Sequence, residues 1–231
     1  MIHQFILAAP KPGMTAGEFQ DYWVTQHAVR YASRIPQIRR YLVDTRIETD
    51  WDRGEPRLPH QGIAEIWLAN DEEQLASLQT PEFLDGARRD EPHWAAFWLT
   101  IVVDTTAHEI VAGFAPPGGV KVTTLLKRRP GLSLAEFRRR TLDWYAPMVS
   151  ELPGVRRHLH CHTRDGAYIF GEAAFDSVEQ LWFDDLEQAR AALTSEQYTE
   201  KLRAAADEII DPRYAFSLTA REHWIIGPEA R

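Results

Sequence analysis

The chain contains two copies of one sequence pattern, and this duplication limits its fold more than any other feature. Glu18-Phe19 recurs as Glu136-Phe137, and Ile35-Pro36 recurs in related form as Leu152-Pro153. The two pairs are separated by nearly the same interval, so the order of structural elements should also be repeated. We therefore expect two similar folding units.

A stretch rich in proline and glycine divides the two copies. Ala112–Gly119 reads AGFAPPGG, a composition typical of linkers between folding units. We predict a first unit over residues 1–112, a linker over 113–119 and a second unit over 120–231.

Each half shows the same succession of strand and helix patterns. Thr15 with Glu18, and Ser133 with Glu136, match the S/T-x-x-E capping box that marks the start of a helix. Apolar runs before and after these helices indicate strands, and a second helical region precedes the last strand of each half. Both halves therefore read βαββαβ, which is the ferredoxin-like unit.

The third strand of each half is predicted from a short apolar run. In the first half it covers Ile63–Ala69, and in the second it covers Tyr168–Phe175, followed by a helical region over Ser177–Ile210. This alignment places Glu65 and Glu172 at matched strand positions.

The predicted fold class is α+β, because each sheet would carry helices on one face only. The other face alternates polar and apolar residues and is too large to leave exposed. Two such faces in one chain can cover each other. We predict two tandem ferredoxin-like βαββαβ units that pack sheet to sheet as a pseudo-dimeric α/β barrel.

Composition narrows the possible partners. The net charge of −8 argues against a nucleic-acid partner, since phosphates would be repelled. The single cysteine, Cys161, is typical of a reducing compartment. No apolar run approaches the roughly 20 residues of a membrane helix, and the first residues do not read as a signal peptide. We expect a cytoplasmic protein with a small-molecule substrate and no nucleic-acid or membrane partner. A homodimer is one possible oligomeric state.

The motif F-x-x-Y-W-x-x-x-H-A resembles that of the EthD family, which belongs to the dimeric α/β-barrel superfamily. It is formed by Phe19, Tyr22, Trp23, His27 and Ala28. The resemblance implies a pocket between sheet and helices in each half. Members of the superfamily include cofactor-independent isomerases, polyketide cyclases and dehydratases, quinol-forming monooxygenases and some haem enzymes, and the fold does not choose among them.

His27 is the leading candidate for a catalytic base in the first half. A neutral imidazole could take a proton from an acidic C–H group or a phenol. Tyr22 and Tyr41 could then donate protons to a developing oxyanion. A structural histidine satisfied by a backbone carbonyl is the alternative. The candidate substrate-binding residues are His3, Trp23, His93, Trp94 and Trp98, with Trp144 in the second half.

The second half has Tyr145 in the place of His27, and it adds a row of histidines. His158, His160 and His162 alternate along HLHCHTR and should share one face of a strand. We include all four as candidate catalytic residues, with the row lining a pocket or the space between the sheets. Histidines exposed to solvent or at an interface are the alternative. Two registers are open: one matches His158 to Tyr41, and the other is shifted by one residue.

We predict neither a metal nor a cofactor. The outer two histidines of such a row have Cβ atoms about 13–14 Å apart, which is too far for one ion. An adjacent pair could share a metal only with ligands from elsewhere in the chain. The sequence also has no glycine-rich phosphate loop, no nucleophile elbow and no C-x-x-C motif.

The leading functional hypothesis is a cofactor-independent lyase, isomerase or cyclase. It would act by histidine-assisted proton abstraction on a small apolar aromatic or polyketide-like carbonyl compound. A cofactor-free or haem-dependent oxygenase of the same superfamily, or a non-catalytic ligand-binding accessory protein, are the alternatives. The long loop Glu48–Gln61 is expected to act as a lid over one of the pockets.

Overall fold

The computed structural model describes residues 1–113 and 115–228. Phe114 of the predicted linker and residues 229–231 of the predicted second unit lie outside the described residues. The strands are β1 (Ile2–Ala8), β2 (Arg40–Arg46), β3 (Gly62–Leu68), β4 (Ile101–Val111), β5 (Val120–Arg128), β6 (Arg157–Thr163), β7 (Ser177–Phe183) and β8 (Ile210–Ile226).

The helices run in broken pieces between these strands. They are α1 (Ala16–Tyr22), α2 (Ala28–Arg30), α3 (Asp71–Ser77), α4 (Arg88–Asp90), α5 (Leu134–Arg140), α6 (Ala146–Ser150), α7 (Leu186–Leu193) and α8 (Arg203–Ala206). Four π-helical segments join them in pairs: Trp23–His27, Glu82–Ala87, Thr141–Tyr145 and Gln197–Leu202. Within the described ranges, no helix is both long enough and apolar enough to span a lipid bilayer.

The strands form a closed antiparallel barrel in the order β1-β3-β2-β8-β5-β7-β6-β4. The repeat of βαββαβ and the closure of the sheet confirm the predicted fold class. By compactness the chain divides into unit 1, which comprises Met1–Arg46, Pro59–Asp104 and the chain from Glu222 onward, and unit 2, which comprises Ile47–Leu58 and Thr105–Arg221. The predicted boundaries at residues 112 and 120 stay a sequence-based prediction.

Local capping starts the first long helix of each unit. The Thr15 hydroxyl accepts from the Glu18 N–H group at 3.2 Å, and the Glu18 carboxylate accepts from the Thr15 N–H group at 2.9 Å, so the predicted capping box is complete. In unit 2 the Ser133 hydroxyl caps its helix in the same way. The Glu136 carboxylate instead binds Arg139 at 2.8 Å, so the second box forms only in part.

The core of each unit lies between its sheet and its helices. In unit 1 the buried side chains include Phe19 and Trp23 from the helical layer, and Tyr41 and Val43 from β2. In unit 2, Phe137 and Tyr145 hold the places of Phe19 and His27. The apolar stripe of the first helix therefore positions residue 27 or residue 145 against the sheet.

The third strand of the second half is not where the sequence placed it. It is β7, Ser177–Phe183, and the predicted strand Tyr168–Phe175 is mostly irregular. Glu172 is exposed and binds Lys127 at 2.9 Å, so it does not match Glu65. The prediction was wrong because Glu179 and Gln180 interrupt the apolar pattern of β7.

The loop predicted as a lid is anchored on unit 2. The Ile47 N–H group donates to the Thr219 carbonyl at 2.8 Å, and the Thr219 hydroxyl donates to Asp52 at 2.7 Å. The Arg53 N–H group donates to Ser217 at 2.6 Å. These bonds hold the loop along β8, so any covering role would concern unit 2.

Candidate active site

Unit 1 contains a largely apolar cavity of about 160 Å³ between β1, β2 and β3 and the helices. An apolar cavity of about 150 Å³ accommodates benzene in another protein. Leu78 and Phe97 line the cavity and are about half exposed, so it opens to the surface beside them. Its other aromatic and imidazole lining residues are Trp23, His27, Tyr41, Phe83 and Trp94.

His27 is held in the cavity wall by a buried carboxylate. Its Nδ1 atom lies 2.9 Å from Asp90 Oδ2, and the Tyr22 hydroxyl donates to Asp90 Oδ1 at 2.8 Å. Both His27 and Asp90 are buried. Because a carboxylate only accepts hydrogen bonds, the contact assigns the ring proton of neutral His27 to Nδ1.

The second contact of His27 Nδ1 is compatible with this assignment. Trp94 Nε1 lies 3.2 Å from the same nitrogen, and the two rings pack with centroids 4.6 Å apart. Nδ1 cannot both donate to Asp90 and accept from the indole, and the shorter contact to the carboxylate decides between them. Trp94 therefore packs against the imidazole without a hydrogen bond to it.

The other ring nitrogen, His27 Nε2, carries a lone pair. It has no hydrogen-bond partner among the residues that the structure describes. Burial lowers the pKa of His27, and the hydrogen bond and charge of Asp90 oppose that effect only in part. The imidazole is therefore neutral near pH 7 and can accept a proton from a ligand in the cavity.

Tyr41 offers a hydrogen-bond donor to the same cavity. Its oxygen accepts from Trp23 Nε1 at 3.3 Å, and its own proton has no acceptor in the described part of the chain. Burial raises the pKa of Tyr41, so the phenol stays protonated. Burial and the hydrogen bond to Asp90 raise the pKa of Tyr22 to about 12, so this phenol also remains a donor.

The sequence-predicted residues of the first half fall into two groups. Four of them line the cavity: Trp23, His27, Tyr41 and Trp94. A fifth, Tyr22, does not line it but donates a hydrogen bond to Asp90, the partner of His27. The remaining three lie elsewhere.

His3, His93 and Trp98 do not line the cavity. His3 alternates with the cavity-lining Gln4 on β1, so it faces the opposite side of the sheet and binds Glu65 at 2.7 Å. The side chain of His93 is 70% exposed, and Trp98 is 63% exposed. Both stand on the surface because the short helical turns after α4 direct them outward.

Sequence reasoning missed Asp90, although a comparison of the two halves carried a signal. Asp90 lies three residues after the second π-helical segment of unit 1, Glu82–Ala87. Ala205 lies three residues after the second π-helical segment of unit 2, Gln197–Leu202. The half with the histidine therefore has the carboxylate, whereas the half with Tyr145 has alanine.

The register of β6 settles the alignment of the histidine row. Arg40 pairs with Trp67 in unit 1, and Arg157 pairs with Trp182 in unit 2, so His158 stands in the place of Tyr41. The first of the two registers is correct.

All three histidines are buried, and their contacts with Ser150, Tyr145 and Thr141 place them on the helix-facing side of the sheet. His162 packs near Phe137 and lies 2.8 Å from the Thr141 hydroxyl. The prediction that the three histidines share one face of the strand is confirmed. The prediction that this face borders the space between the sheets is wrong, because Leu159 and Cys161 alternate with the histidines and take that side.

Two of these histidines meet a glutamate that sequence reasoning also missed. Glu179 on β7 pairs with His160 across the strands, and the Tyr145 hydroxyl donates to Glu179 Oε2 at 3.2 Å. Burial, followed by the charge of Glu179, raises the pKa of Tyr145 well above its ordinary value. Trp144 lies apart from this group, with the Arg140 guanidinium over its ring.

Comparison with known proteins fits the duplication. The EthD domain pattern matches residues 11–97 and again residues 129–213, which is more than half of the chain. The chain belongs to the EthD family. None of the curated proteins compared matches the sequence of this EthD protein.

Solved structures share the fold of this EthD protein at low sequence identity. An anthrone oxidase-like protein is 12% identical with a TM-score of 0.67, covering 97% of this chain and 92% of its own. A proposed monooxygenase from Lactobacillus acidophilus NCFM is 10% identical with a TM-score of 0.56, covering 100% and 97%. A proposed chlorite dismutase is 13% identical with a TM-score of 0.54, covering 96% and 94%. These likenesses concern the fold alone.

Proposed function

We propose that unit 1 is an enzyme that abstracts a proton, without a cofactor, from a small apolar aromatic or polyketide-like carbonyl compound. The observation that carries this proposal is the buried Asp90–His27 pair, in which His27 has Nε2 free to accept a proton and lines an apolar cavity together with Tyr41.

His27 is the proposed base. Asp90 keeps the ring proton on Nδ1 and so keeps Nε2 available for a substrate proton. After transfer, the buried Asp90 carboxylate stabilises the imidazolium, as the aspartate of a catalytic triad does. Positioned general bases of this kind contribute about 10²–10⁴ in rate.

Tyr41 is the proposed donor to the oxyanion. Loss of a proton next to a carbonyl places negative charge on the carbonyl oxygen, and a hydrogen bond aimed at that oxygen stabilises the enolate. The bond from Trp23 Nε1 polarises the Tyr41 hydroxyl and strengthens it as a donor.

The lining favours an uncharged, flat ligand. Among the described residues around the cavity, Glu91 is the sole carboxylate, and no lysine or arginine is present. Burial raises the pKa of Glu91, which further favours its neutral form. Aromatic side chains from Trp23, Phe83 and Trp94 offer ring faces to a planar substrate.

Oxidation is a second candidate that begins with the same step. The deprotonated carbon would add dioxygen, and the hydroperoxide would lose water to leave a new carbonyl, so that a CH₂ group and O₂ become C=O and H₂O. Similarity of fold to an anthrone oxidase-like protein over 97% of the chain favours this candidate. Lyase, isomerase and cyclase reactions would proceed from the same enolate without consuming oxygen.

The test uses two carbonyl compounds with acidic benzylic C–H groups, 2-tetralone and anthrone. Deuterium incorporation from heavy water reports proton abstraction, and an oxygen electrode reports oxidation. The His27→Ala variant should slow the enzymatic rate by about 10²–10⁴. His93→Ala is the matched control, since this exposed imidazole lies near Asp90 but outside the cavity.

Each outcome separates the hypotheses. Exchange without oxygen uptake supports the lyase, isomerase or cyclase class, and exchange coupled to oxygen uptake supports the oxidase. Tight binding of the compounds with no exchange above the buffer rate, and no change in His27→Ala, would overturn both in favour of a ligand-binding protein.

A further inference from the structure

Three buried side chains of unit 2 converge without hydrogen-bonding one another. His158 Nε2 lies 3.3 Å from Glu179 Oε1, and His160 Nδ1 lies 3.6 Å from the same oxygen. All three ligand-type atoms lie within 4.8 Å of one another. The arrangement follows from the sheet, because His158 and His160 share one face of β6 and Glu179 pairs with His160 across the strands.

The three converging atoms have no hydrogen-bond partner among the described residues: His158 Nε2, His160 Nδ1 and Glu179 Oε1 are all buried and unsatisfied. Each such group costs about 1–3 kcal/mol in a protein interior. The Arg53 guanidinium is close enough to interact with the charge of Glu179, but Glu179 Oε1 accepts no hydrogen bond from it. Buried polar atoms without a hydrogen-bond partner are rare in native proteins, and a bound ion is one of the species that can satisfy them.

A neighbouring bond fixes which nitrogen of His158 carries the lone pair. The Ser150 hydroxyl donates to the Ala146 carbonyl at 3.0 Å, so it must accept from His158 Nδ1, which lies 2.9 Å away. In neutral His158 the lone pair is therefore on Nε2, and it faces a carboxylate oxygen. Two lone pairs at 3.3 Å repel unless a proton or a metal ion lies between them.

We infer that His158, His160 and Glu179 form a binding site for one divalent transition-metal ion. Ligand atoms about 2.0–2.2 Å from such an ion lie roughly 3–3.5 Å from one another. The distances from His158 Nε2 and His160 Nδ1 to Glu179 Oε1, 3.3 Å and 3.6 Å, are close to this range. Two histidines and one carboxylate, with the remaining positions open, form a set that binds Zn²⁺ or Fe²⁺.

The surrounding residues support two of the three ligands as metal sites require, whereas His160 Nε2 has no hydrogen-bond partner among the described residues. Ser150 holds the distal nitrogen of His158, and Tyr145 donates to the distal oxygen of Glu179. The third histidine, His162, is engaged by Thr141 and stays outside the set. One ion still cannot reach all three histidines of the row, but the adjacent pair His158 and His160 gains its third ligand from β7.

The site is distinct from the cavity of unit 1. In unit 1 the corresponding cross-strand pair is Val43 with Ala64, which cannot bind a metal, whereas unit 2 has His160 with Glu179. The two copies would therefore have diverged toward different chemistry, one around His27 and one around a metal ion.

The experiment uses the full-length protein, treated with a chelator and dialysed. Isothermal titration with Zn²⁺, and titration with Co²⁺ followed by its visible absorption, should each give one ion per chain. The Tm should rise when Zn²⁺ is added. Failure of the chelator-treated wild-type protein to bind either ion at pH 7.5 would overturn the inference, and would favour a proton shared between imidazole and carboxylate.

Variants then locate the ion. Glu179→Gln and His160→Gln should abolish binding, and Ser150→Ala should weaken it by about 10–100-fold. His162→Gln is the control, because it changes a buried histidine of the same strand and face while leaving the three ligands intact. Equal loss of binding in His162→Gln would contradict the assignment. Circular dichroism of each variant confirms that it is folded, and deuterium exchange by unit 1 should persist in all of them.

Discussion

Replacing Asp90 by asparagine tests whether this carboxylate fixes the tautomer of His27. The substitution keeps the shape of the side chain but removes its charge and one of its two acceptor oxygens. If the remaining oxygen accepts from Tyr22, the new NH₂ group must donate to His27 Nδ1. The ring proton would then move to Nε2, and this nitrogen could no longer act as the proposed base.

The expected magnitudes follow from the two bonds that Asp90 accepts. Hydrogen bonds to a charged group contribute about 1.5–3 kcal/mol each, and asparagine retains part of this, so we expect a loss of about 2 kcal/mol in the free energy of unfolding. For a chain of 231 residues this corresponds to a decrease of about 4–8 °C in Tm. Proton abstraction should slow by about 10²–10⁴, since the base would be in the wrong tautomer.

The assay is a long-range ¹H–¹⁵N correlation spectrum of the histidine rings, which distinguishes the two tautomers without any substrate. Wild-type His27 should be neutral with its proton on Nδ1 at pH 7, and Asp90→Asn should shift the proton to Nε2. Tyr22→Phe is the control, because it removes the other bond to Asp90 and should leave the tautomer unchanged. A wild-type ring protonated on Nε2, or an Asp90→Asn variant with an unaltered spectrum and rate, would refute the reasoning.

The remaining predictions concern the donor, acid stability and the loop. Tyr41→Phe should slow exchange of 2-tetralone by about tenfold or more, with the Tm lowered by only a few degrees; an unchanged rate excludes Tyr41 as the oxyanion donor. Burial and the neighbouring histidines lower the pKa of His162 to about 2, so the unfolded chain binds the extra proton first, and the free energy of unfolding should fall as the pH decreases below about 6.5. Urea unfolding of His162→Gln across pH 4–7 should show a smaller decrease, and an identical slope would count against this assignment. Asp52→Ala should lower the free energy of unfolding by about 1–3 kcal/mol through the bond to Thr219, while exchange by unit 1 continues at the wild-type rate; a large loss of exchange would instead favour a lid over unit 1.

The sequence predicted the repeated architecture because the duplication and the caps are local signals. Thr15 with Glu18 can be recognised from spacing alone, and Phe19 with Trp23 follows from helical periodicity. The strand β7 escaped recognition because Glu179 and Gln180 replace apolar residues within it. A strand whose polar residues face buried partners does not show the usual alternation.

The candidate sites were predicted in part for a related reason. His27 and the histidine row could be identified because a motif and an alternation point to them. Their carboxylate partners could not be identified from the sequence. Asp90 is separated from His27 by 63 residues, and Glu179 lies beside the histidines only because β6 pairs with β7. Contacts between distant segments depend on packing that no local pattern records. His3, by contrast, was placed near the cavity although strand alternation directs it to the opposite face.

Chemical rescue tests the central claim most directly. His27→Ala removes the proposed base from a cavity wall and leaves room for a free imidazole beside Asp90. Deuterium exchange of 2-tetralone should be lost in this variant and should return in proportion to added neutral imidazole, while the wild-type rate stays constant. Full exchange by His27→Ala without imidazole would contradict the account.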